Sequence, residues 1–478
     1  MDAVLNQAIP LLPREINYKN AFTLFITILL SRIPFLFFDF GSDGDAWRIA
    51  WSADTIWSEG IYYPSRFPGF PVFEFLNAPL IGLGGALLSN SFTLLIFLFC
   101  ILIFAHIIFH IEKRYASITI WTFAFTPILW KNSTVTHDYV LGLFLILLST
   151  LFLLKNKFLL SGIFLGIAVG VRITHIVFLI PFIYFLISLE KKKNILALLL
   201  PALLLPVLIY LPVFIRHRFI EELNNYNLTI NKLSLNEIIK FFSYRIIYSL
   251  GILGFLSILI GLFYKWSDVK IKIQQNKFTK FALSVILMVL FLFLLSPDER
   301  EYLIPIFPFL FIMITTIYSR LLILLLYICI LSYSFFNIDL IKHGFQNQTI
   351  NPGLKYGIVI EDLIKRINVR NMRNEFVKYP LPDSSIVITG MGPILWFKNN
   401  DLKYCPDGAE KLGSSEVAYF KNRIEQYVVY EIPENSINKL KIQGFKIFYL
   451  SKMKSYIEWV MNIKVDDFNF LPIDITIP

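Results

Sequence analysis

Eleven apolar runs, separated by short polar breaks, fill the first two thirds of the chain, at residues 21–38, 91–110, 116–131, 139–154, 158–171, 173–189, 194–215, 243–264, 281–296, 302–318 and 321–336. A helix rising about 1.5 Å per residue crosses the hydrocarbon core with roughly 20 apolar residues, and with fewer where flanking side chains snorkel. The pattern therefore predicts about eleven spanning helices. The strict alternation of apolar and polar residues that a membrane barrel needs is missing. Residues 72–90 (VFEFLNAPLIGLGGALLSN) are also apolar, but they carry Glu74, Asn77, Pro79 and three glycines. They read as an interfacial or re-entrant helix, with a twelfth span as the alternative.

From about Asn337 the rhythm changes. The β-branched runs 384–390, 427–433 and 445–450 alternate with helix-like stretches at 353–377 and 413–426, which predicts a small α/β domain. The expected organisation is a membrane domain over residues 1–336, with 39–90 as its first outer loop, and an α/β domain over 337–478. The Gly390-Met391-Gly392 turn lacks the remaining features of a phosphate-cradling loop.

Composition agrees with the pattern. Of 478 residues, 56% are apolar and 16% charged, and the mean hydropathy is +0.63, values that exclude an ordinary soluble domain. The net charge of +10 forms no basic stripe, so no nucleic-acid partner is implied. It is instead a topology signal. With Arg14 and Lys19 inside, the pairs Lys113/Arg114 and Lys155/Lys157, the run Lys191–Lys193, the lysines between 265 and 280, and Arg320 all fall on the cytoplasmic side. Residues 39–90, 132–138, Arg172, 216–242, 297–301 and everything after 337 then face outward. The first run has no small-residue cleavage site and reads as a retained span. Cys100, Cys329 and Cys405 imply no disulfide framework. An integral protein of a prokaryotic plasma (inner) membrane is expected, with a cytoplasmic N-terminus and an extracytoplasmic C-terminal domain.

The unusual polar residues gather on the outer side. Asp43 and Asp45, one glycine apart, follow the first span; Asp beside Gly is commonly a solvated turn residue. Here a helix-like stretch follows, and its Trp47, Ile49, Ala50, Trp51, Ile56 and Trp57 are expected to press the loop onto the membrane and partly desolvate a carboxylate there. Such a group is suited to take a proton from a hydroxyl. Arg32, inside the first span, reads as structural and paired with a loop carboxylate.

The runs DAWRIAWSADTIW (45–57) and YYPSRFPGFPVFE (62–74) resemble the first outer loop of the GT-C glycosyltransferases, in particular the protein O-mannosyltransferase and lipid A aminoarabinose transferase branch. In that family the loop carries an essential acidic residue, an amphipathic helix and an Arg-Pro element. Asp45 takes the acidic position, with Arg48, Ala50 and Ala53 at the fitting offsets, and Asp43 stands in reserve. Arg66 matches the Arg-Pro element. The resemblance gives Asp138, beside His137 at the mouth of the fourth span, a second acidic role toward acceptor or a divalent cation such as Mg²⁺ or Mn²⁺; a helix N-cap is the compatible plain reading. One His and one Asp are too few to establish a metal site from spacing.

Arg172 lies between two apolar runs, where a bare charge costs about 2.5–3.5 kcal/mol on insertion scales. It either snorkels to headgroups or grips a lipid-linked phosphate. In SPDEREYLIPIFP (296–308), Glu299, Arg300 and Tyr302 match a family loop that closes over the donor headgroup, or they form a tight interfacial connection. The resemblance implies a donor sugar on a polyprenyl phosphate, a glycan, lipid or protein acceptor on the outer face, and contact with membrane lipid. The rival class is a transporter or flippase for a lipid-linked or anionic substrate, for which paired broken helices and inverted repeats are expected. The sequence shows neither.

Overall fold

The computed structural model describes residues 18–216, 235–297, 299–342, 349–390, 392–405, 412, 417–450, 454, 457–458, 464 and 468–471. Residues 217–234, within the outward-facing stretch 216–242, lie outside the described residues. By contact the chain forms two compact units. The first comprises Met1–Phe37, Ser52–Ile338 and Leu354–Ile360; the second comprises Phe38–Trp51, Asp339–Gly353 and Glu361–Pro478.

The first unit is helical, and a helix occupies each of the eleven apolar runs. In order these are α1 (Tyr18–Arg32), α2 (Gly44–Glu59, shared with the second unit), α3 (Pro71–Ile111), α4 (Ala116–Ala124), α5 (Pro127–Asn132), α6 (Tyr139–Leu154), α7 (Phe158–Val171), α8 (Leu179–Ser188), α9 (Ile195–Arg216), α10 (Leu235–Tyr264), α11 (Trp266–Gln275), α12 (Lys277–Leu295), α13 (Ile306–Ile317) and α14 (Arg320–Phe335). Among the described residues, five helical segments are long and apolar enough to cross a membrane: residues 20–37, Pro71–Ile111, Lys192–Ile215, Leu235–Tyr264 and Lys277–Leu295. Five shorter apolar ones accompany them. Helix α7 packs between α6 and α9, α3 lies along α6, and α10 lies along α14.

Two expectations change. Residues 72–90 are helical and share the segment α3 with the next apolar run, in two helical stretches that meet at a break at Gly85. There φ is 58° and ψ −141°, a combination open to glycine and costly for any side chain. A second break lies at Gly251 in α10. The run 116–131 divides at Thr126–Pro127 into α4 and α5, because proline disfavours helical geometry in the residue before it.

A buried polar network holds the α3 break. Ser89 donates to Asn77 Oδ1 (2.5 Å) and lies 2.8 Å from the Thr136 hydroxyl, which donates to Asn90 Oδ1 (3.0 Å). Asn77 precedes the break and Ser89 and Asn90 follow it, so both halves of α3 are tied to the loop that ends in His137 and Asp138. Arg32 is fully buried as expected of a structural residue, but its partners differ from the expected carboxylate. It donates to Ser133 Oγ (3.1 Å) and the Ala124 carbonyl (2.5 Å), and Phe97, Phe125 and Trp130 place ring faces 4.9–5.2 Å from the guanidinium. Ring quadrupoles offset its charge where no acid among the described residues pairs with it.

The second unit holds a six-stranded sheet, ordered β4-β5-β6-β3-β7-β8, from β3 (Ser385–Ile388), β4 (Leu402–Tyr404), β5 (Val417–Phe420), β6 (Gln426–Val429), β7 (Lys446–Leu450) and β8 (Asn469–Leu471). A two-stranded ribbon, β1 (Phe336–Lys342) with β2 (Thr349–Tyr356), is separate from it. Strand β3 runs parallel to β6 and β7, while β5 is antiparallel to both β4 and β6. All four β3 residues are buried, as a central parallel strand requires. Helices α15 (Ile358–Lys378), α16 (Gly392–Trp396) and α17 (Glu434–Ile442) complete the unit. The predicted helix at 413–426 is corrected: 413–416 lie outside the described residues, and 417–420 form β5, whose apolar side chains enter the sheet core.

Close approach of α7 and α9 depends on glycine. A Cβ added at Gly162 would sit 2.2 Å from the Leu198 carbonyl oxygen. Because that obstacle is backbone, Gly162→Val is expected to lower stability by ~1–3 kcal/mol, read as a lower thermal unfolding midpoint of the detergent-solubilised protein. An unchanged midpoint would contradict this packing.

Candidate functional site

In the helical unit the polar residues converge on Arg172, which ends α7 and is 8% exposed. Its Nε donates to Asp138 Oδ2 at 2.7 Å and its Nη2 approaches Oδ1 at 3.4 Å. Its guanidinium also lies 4.2 Å from the Tyr139 ring centre, 4.9 Å from Tyr302 and 5.1 Å from Phe70. Asp138 is fully buried, and His137 Nδ1 lies 2.8 Å from its Oδ1. Burial alone would push the Asp138 carboxyl up. The charge of Arg172 more than offsets this, with help from His137, and holds the group below the usual carboxylate range.

Tyr139 joins this pair to a second one. Its hydroxyl donates to Glu299, and Glu299 Oε1 faces Arg66 Nη2 at 3.7 Å. The Tyr139 ring stacks on His137 at 4.4 Å and lies 6.2 Å from Tyr302. Arg66, Glu299, Tyr139, Arg172, Asp138 and His137 thus form one connected network, with Tyr302 and Phe70 as its aromatic walls. Arg300 Nη1 lies 3.4 Å from the Tyr333 hydroxyl. Its neighbour Glu301 is clamped by Lys131 at 2.9 Å, fixing the turn that carries Glu299 and Tyr302 to α5.

The loop carrying Arg66 is organised by Glu74, which is fully buried in the first turn of α3. Glu74 accepts from the Tyr62 hydroxyl (2.5 Å), the Ser65 amide (2.9 Å) and the Phe70 amide (3.0 Å). An acid at a helix N-terminus is favoured by the dipole, and here it also gathers the loop's backbone donors.

The two candidate carboxylates belong to the second unit. Asp43 Oδ1 accepts from the Asp45 amide at 3.0 Å, so Asp43 serves as a cap for α2, the ordinary task of Asp before a helix. Asp45 is 7% exposed, and its Oδ1 accepts from Arg48 Nη1 at 3.1 Å. The surrounding segment is fastened to the rest of that unit along its whole length. Asp39 faces Arg370 (3.4 Å), Ser42 donates to Asp362 (2.8 Å), and Arg373 lies 4.4 Å over the Trp47 ring. Trp51 packs on Trp396 and Tyr404. This corrects the first half of the expected membrane-pressed helix face, since Trp47, Ile49 and Ala50 are at most 1% exposed and Trp47 packs on protein, whereas Trp57 further along α2 is half exposed. By contact, Phe38–Trp51 group with the second unit.

Of the residues singled out from sequence, Arg66, Arg172, Asp138, His137, Glu299 and Tyr302 come together in the helical unit; Arg300 bonds Tyr333, and Asp43 and Asp45 lie on the other unit's segment. The plain N-cap reading of Asp138 holds in position only, because its side chain makes no cap hydrogen bond. Its oxygens are already engaged by Arg172 and His137, an arrangement that does not fit a metal ligand. Tyr139, Glu74, Glu301 and Lys131 were missed. Only Glu74 carried a local signal, an acid three residues after the proline that opens α3.

Residues 69–297 match the model of glycosyltransferase family 87. No curated protein matches the chain. Among solved structures, ArnT from Cupriavidus metallidurans bound to undecaprenyl phosphate is 13% identical, with a TM-score of 0.50 over 63% of this chain and 60% of that one. The same protein in the apo state is 14% identical, with a TM-score of 0.44 over 62% and 59%. The chain therefore spans about 60% of the length of the ArnT chain it matches. The glycosyltransferase resemblance is met by the family match over 69–297, and the likeness to ArnT is one of a mostly helical fold. Glycosyltransferase is the enzyme class that the match gives.

The Arg172–Asp138 pair has a pH signature. The folded-state carboxyl lies below its unfolded value of about 3.9, so the pair's stabilisation is fully present above that pH and is lost as pH falls through the lower folded value. Asp138→Asn leaves Arg172 buried without its counter-charge, and is expected to cost ~3–5 kcal/mol near pH 7. Below about pH 4 the variant should lose less further stability than the native protein does. Unfolding midpoints measured from pH 7 to pH 3 check both, and parallel curves would contradict the assignment.

Proposed function

We propose that the protein transfers a sugar from a polyprenyl-phosphate carrier to a hydroxyl acceptor at the extracytoplasmic face of a prokaryotic plasma membrane, with inversion at the anomeric carbon. The observation that carries the reading is the network around Arg172 and Arg66, of which His137, Asp138, Tyr139 and Arg172 lie within the stretch matching family 87 and Arg66 and Glu299 lie just outside it. Two guanidiniums, that of Arg172 walled by the rings of Phe70, Tyr139 and Tyr302, suit a sugar phosphate: the charge answers the phosphate and the rings answer the sugar's apolar face. ArnT, the structure of similar fold, was solved with undecaprenyl phosphate, which supports a carrier of that class. A carrier whose tail stays in lipid presents its headgroup at the interface, and the outer-face topology read from the loop charges favours that side.

The two arginines divide the work. Asp138 already neutralises Arg172, so Arg172 acts as a fixed dipolar anchor. Arg66 is one-third exposed and lies 3.7 Å from Glu299, and it is the guanidinium that meets the donor phosphate. In the reaction the acceptor oxygen bonds to the anomeric carbon as the bond to the phosphate oxygen breaks; the acceptor's proton passes to Asp45, and the carrier leaves as its phosphate monoester. A divalent cation is not needed to balance these steps. The broken helices α3 and α10 are features a transporter would also use, but the glycosyltransferase family match favours transfer.

The test uses the full chain in liposomes with undecaprenyl-phosphate-linked hexoses and pentoses and an envelope membrane fraction as acceptor, measuring release of undecaprenyl phosphate. Native protein should release it, and Asp45→Asn should reduce turnover by roughly 10²- to 10⁴-fold. No release with any such donor would overturn the proposal. Separately, Arg66→Ala is expected to weaken undecaprenyl phosphate binding by about tenfold, equivalent to 1.4 kcal/mol, read by ligand-dependent thermal stabilisation.

A further inference from the structure

We propose that the C-terminal α/β unit positions Asp45, through Arg48 braced on Tyr430. The inference rests on the reading of Asp45 as the proton acceptor and assigns the residues that aim it. Arg48 sits one helical turn after Asp45, and its Nη1 holds Asp45 Oδ1 at 3.1 Å. A pair at this spacing on an unsupported helix is weak and mobile. Here the guanidinium also lies 5.0 Å over the ring of Tyr430, the residue directly after β6. That strand is flanked by β3 and β5 in the sheet, in register with both. Arg48 is therefore held between a carboxylate and a ring fixed to the end of a sheet strand, which restricts the carboxylate's rotation.

The segment's other fastenings act in the same sense. Ser42 is bonded to Asp362, itself paired with the buried Arg366 at 2.7 Å, and Trp47 lies under Arg373. These place Asp45 by placing its helix, whereas Arg48 and Tyr430 set the carboxylate itself. A C-terminal domain serving only as a lid or as an acceptor platform has no need of such contacts to the segment that bears Asp45.

The full-length protein is assayed in liposomes with the same undecaprenyl-phosphate-linked sugars. Because misaligning a reacting group lowers rate without loosening the donor, Tyr430→Leu should reduce kcat by about 10- to 100-fold with the KM for donor unchanged. Tyr430→Phe keeps the ring face and should restore native kcat. Arg48→Met should match Tyr430→Leu, and the double variant should lose no more than either alone, since both act through one contact. Unfolding midpoints and undecaprenyl phosphate binding identify any variant that simply misfolds. If Asp45→Asn abolishes turnover while folded Tyr430→Leu and Arg48→Met keep native kcat, the positioning role falls and the catalytic reading of Asp45 stands. If Asp45→Asn itself turns over normally, the underlying reading falls with it.

Discussion

A guanidinium among apolar helices must be neutralised where it stands, and the arrangement of the helical unit follows from how this is done at Arg172. An isolated charge there would cost several kcal/mol. Asp138 supplies the counter-charge at 2.7 Å, and rings from three separate segments, Phe70, Tyr139 and Tyr302, close around the cation. Each ring is brought in by a different device. Glu74 folds the loop before α3, the Asn77–Ser89–Thr136–Asn90 network seats the start of α6, and Lys131 with Glu301 holds the turn before α13. Arg32 shows the same constraint met with ring faces and neutral acceptors alone.

The carboxylate-bearing segment obeys a different logic. Residues 38–51 follow α1 directly, yet their contacts belong to the unit containing the α/β sheet. Tryptophans that resemble membrane anchors in the sequence are packed against Arg373, Trp396 and Tyr404. An amphipathic aromatic side chain fits an interface with lipid and an interface with protein equally well. Composition alone does not separate the two; the decisive partners are more than 300 residues away in the chain.

Much of the helical unit was legible because hydropathy is a local property. Runs at 139–154 and 158–171 match α6 and α7 to the residue. The breaks were harder, since Gly85 interrupts α3 without ending it and only the three-dimensional path distinguishes a kink from two helices. In the second unit the strands at 385–388 and 446–450 were visible as β-branched runs. Strand β5 was not, because VAYF is short and its strand character comes from antiparallel partners on either side. The site divided along the same line. Asp138 and Arg172 stood out as charges flanking apolar runs, and the loop resemblance brought out Arg66. Tyr139 carried no signal, because a tyrosine beginning an apolar helix is an ordinary interfacial residue. Its importance is positional, touching Arg172, His137, Tyr302 and Glu299 at once.

The charge balance of that network bears on how an anion would enter it. Arg66 and Arg172 carry two positive charges, and Asp138 and Glu299 carry two negative ones, so the set has no excess attraction for phosphate at long range. Admission then depends on exchange, and the two acids are unequal in this respect. Asp138 is fully buried and closely bonded to Arg172, so displacing it would strand a charge. Glu299 is 22% exposed on its side chain, keeps the Tyr139 hydroxyl as a donor, and meets Arg66 only at 3.7 Å. A phosphate oxygen at ordinary charge-assisted distance, about 2.7–2.9 Å, would hold Arg66 more closely than Glu299 does, and Glu299 would still be hydrogen-bonded after the exchange. On the proposed reading the site selects for a ligand that brings its own anchoring energy, which a lipid-tailed phosphate does, over a free phosphate that must rely on charge alone.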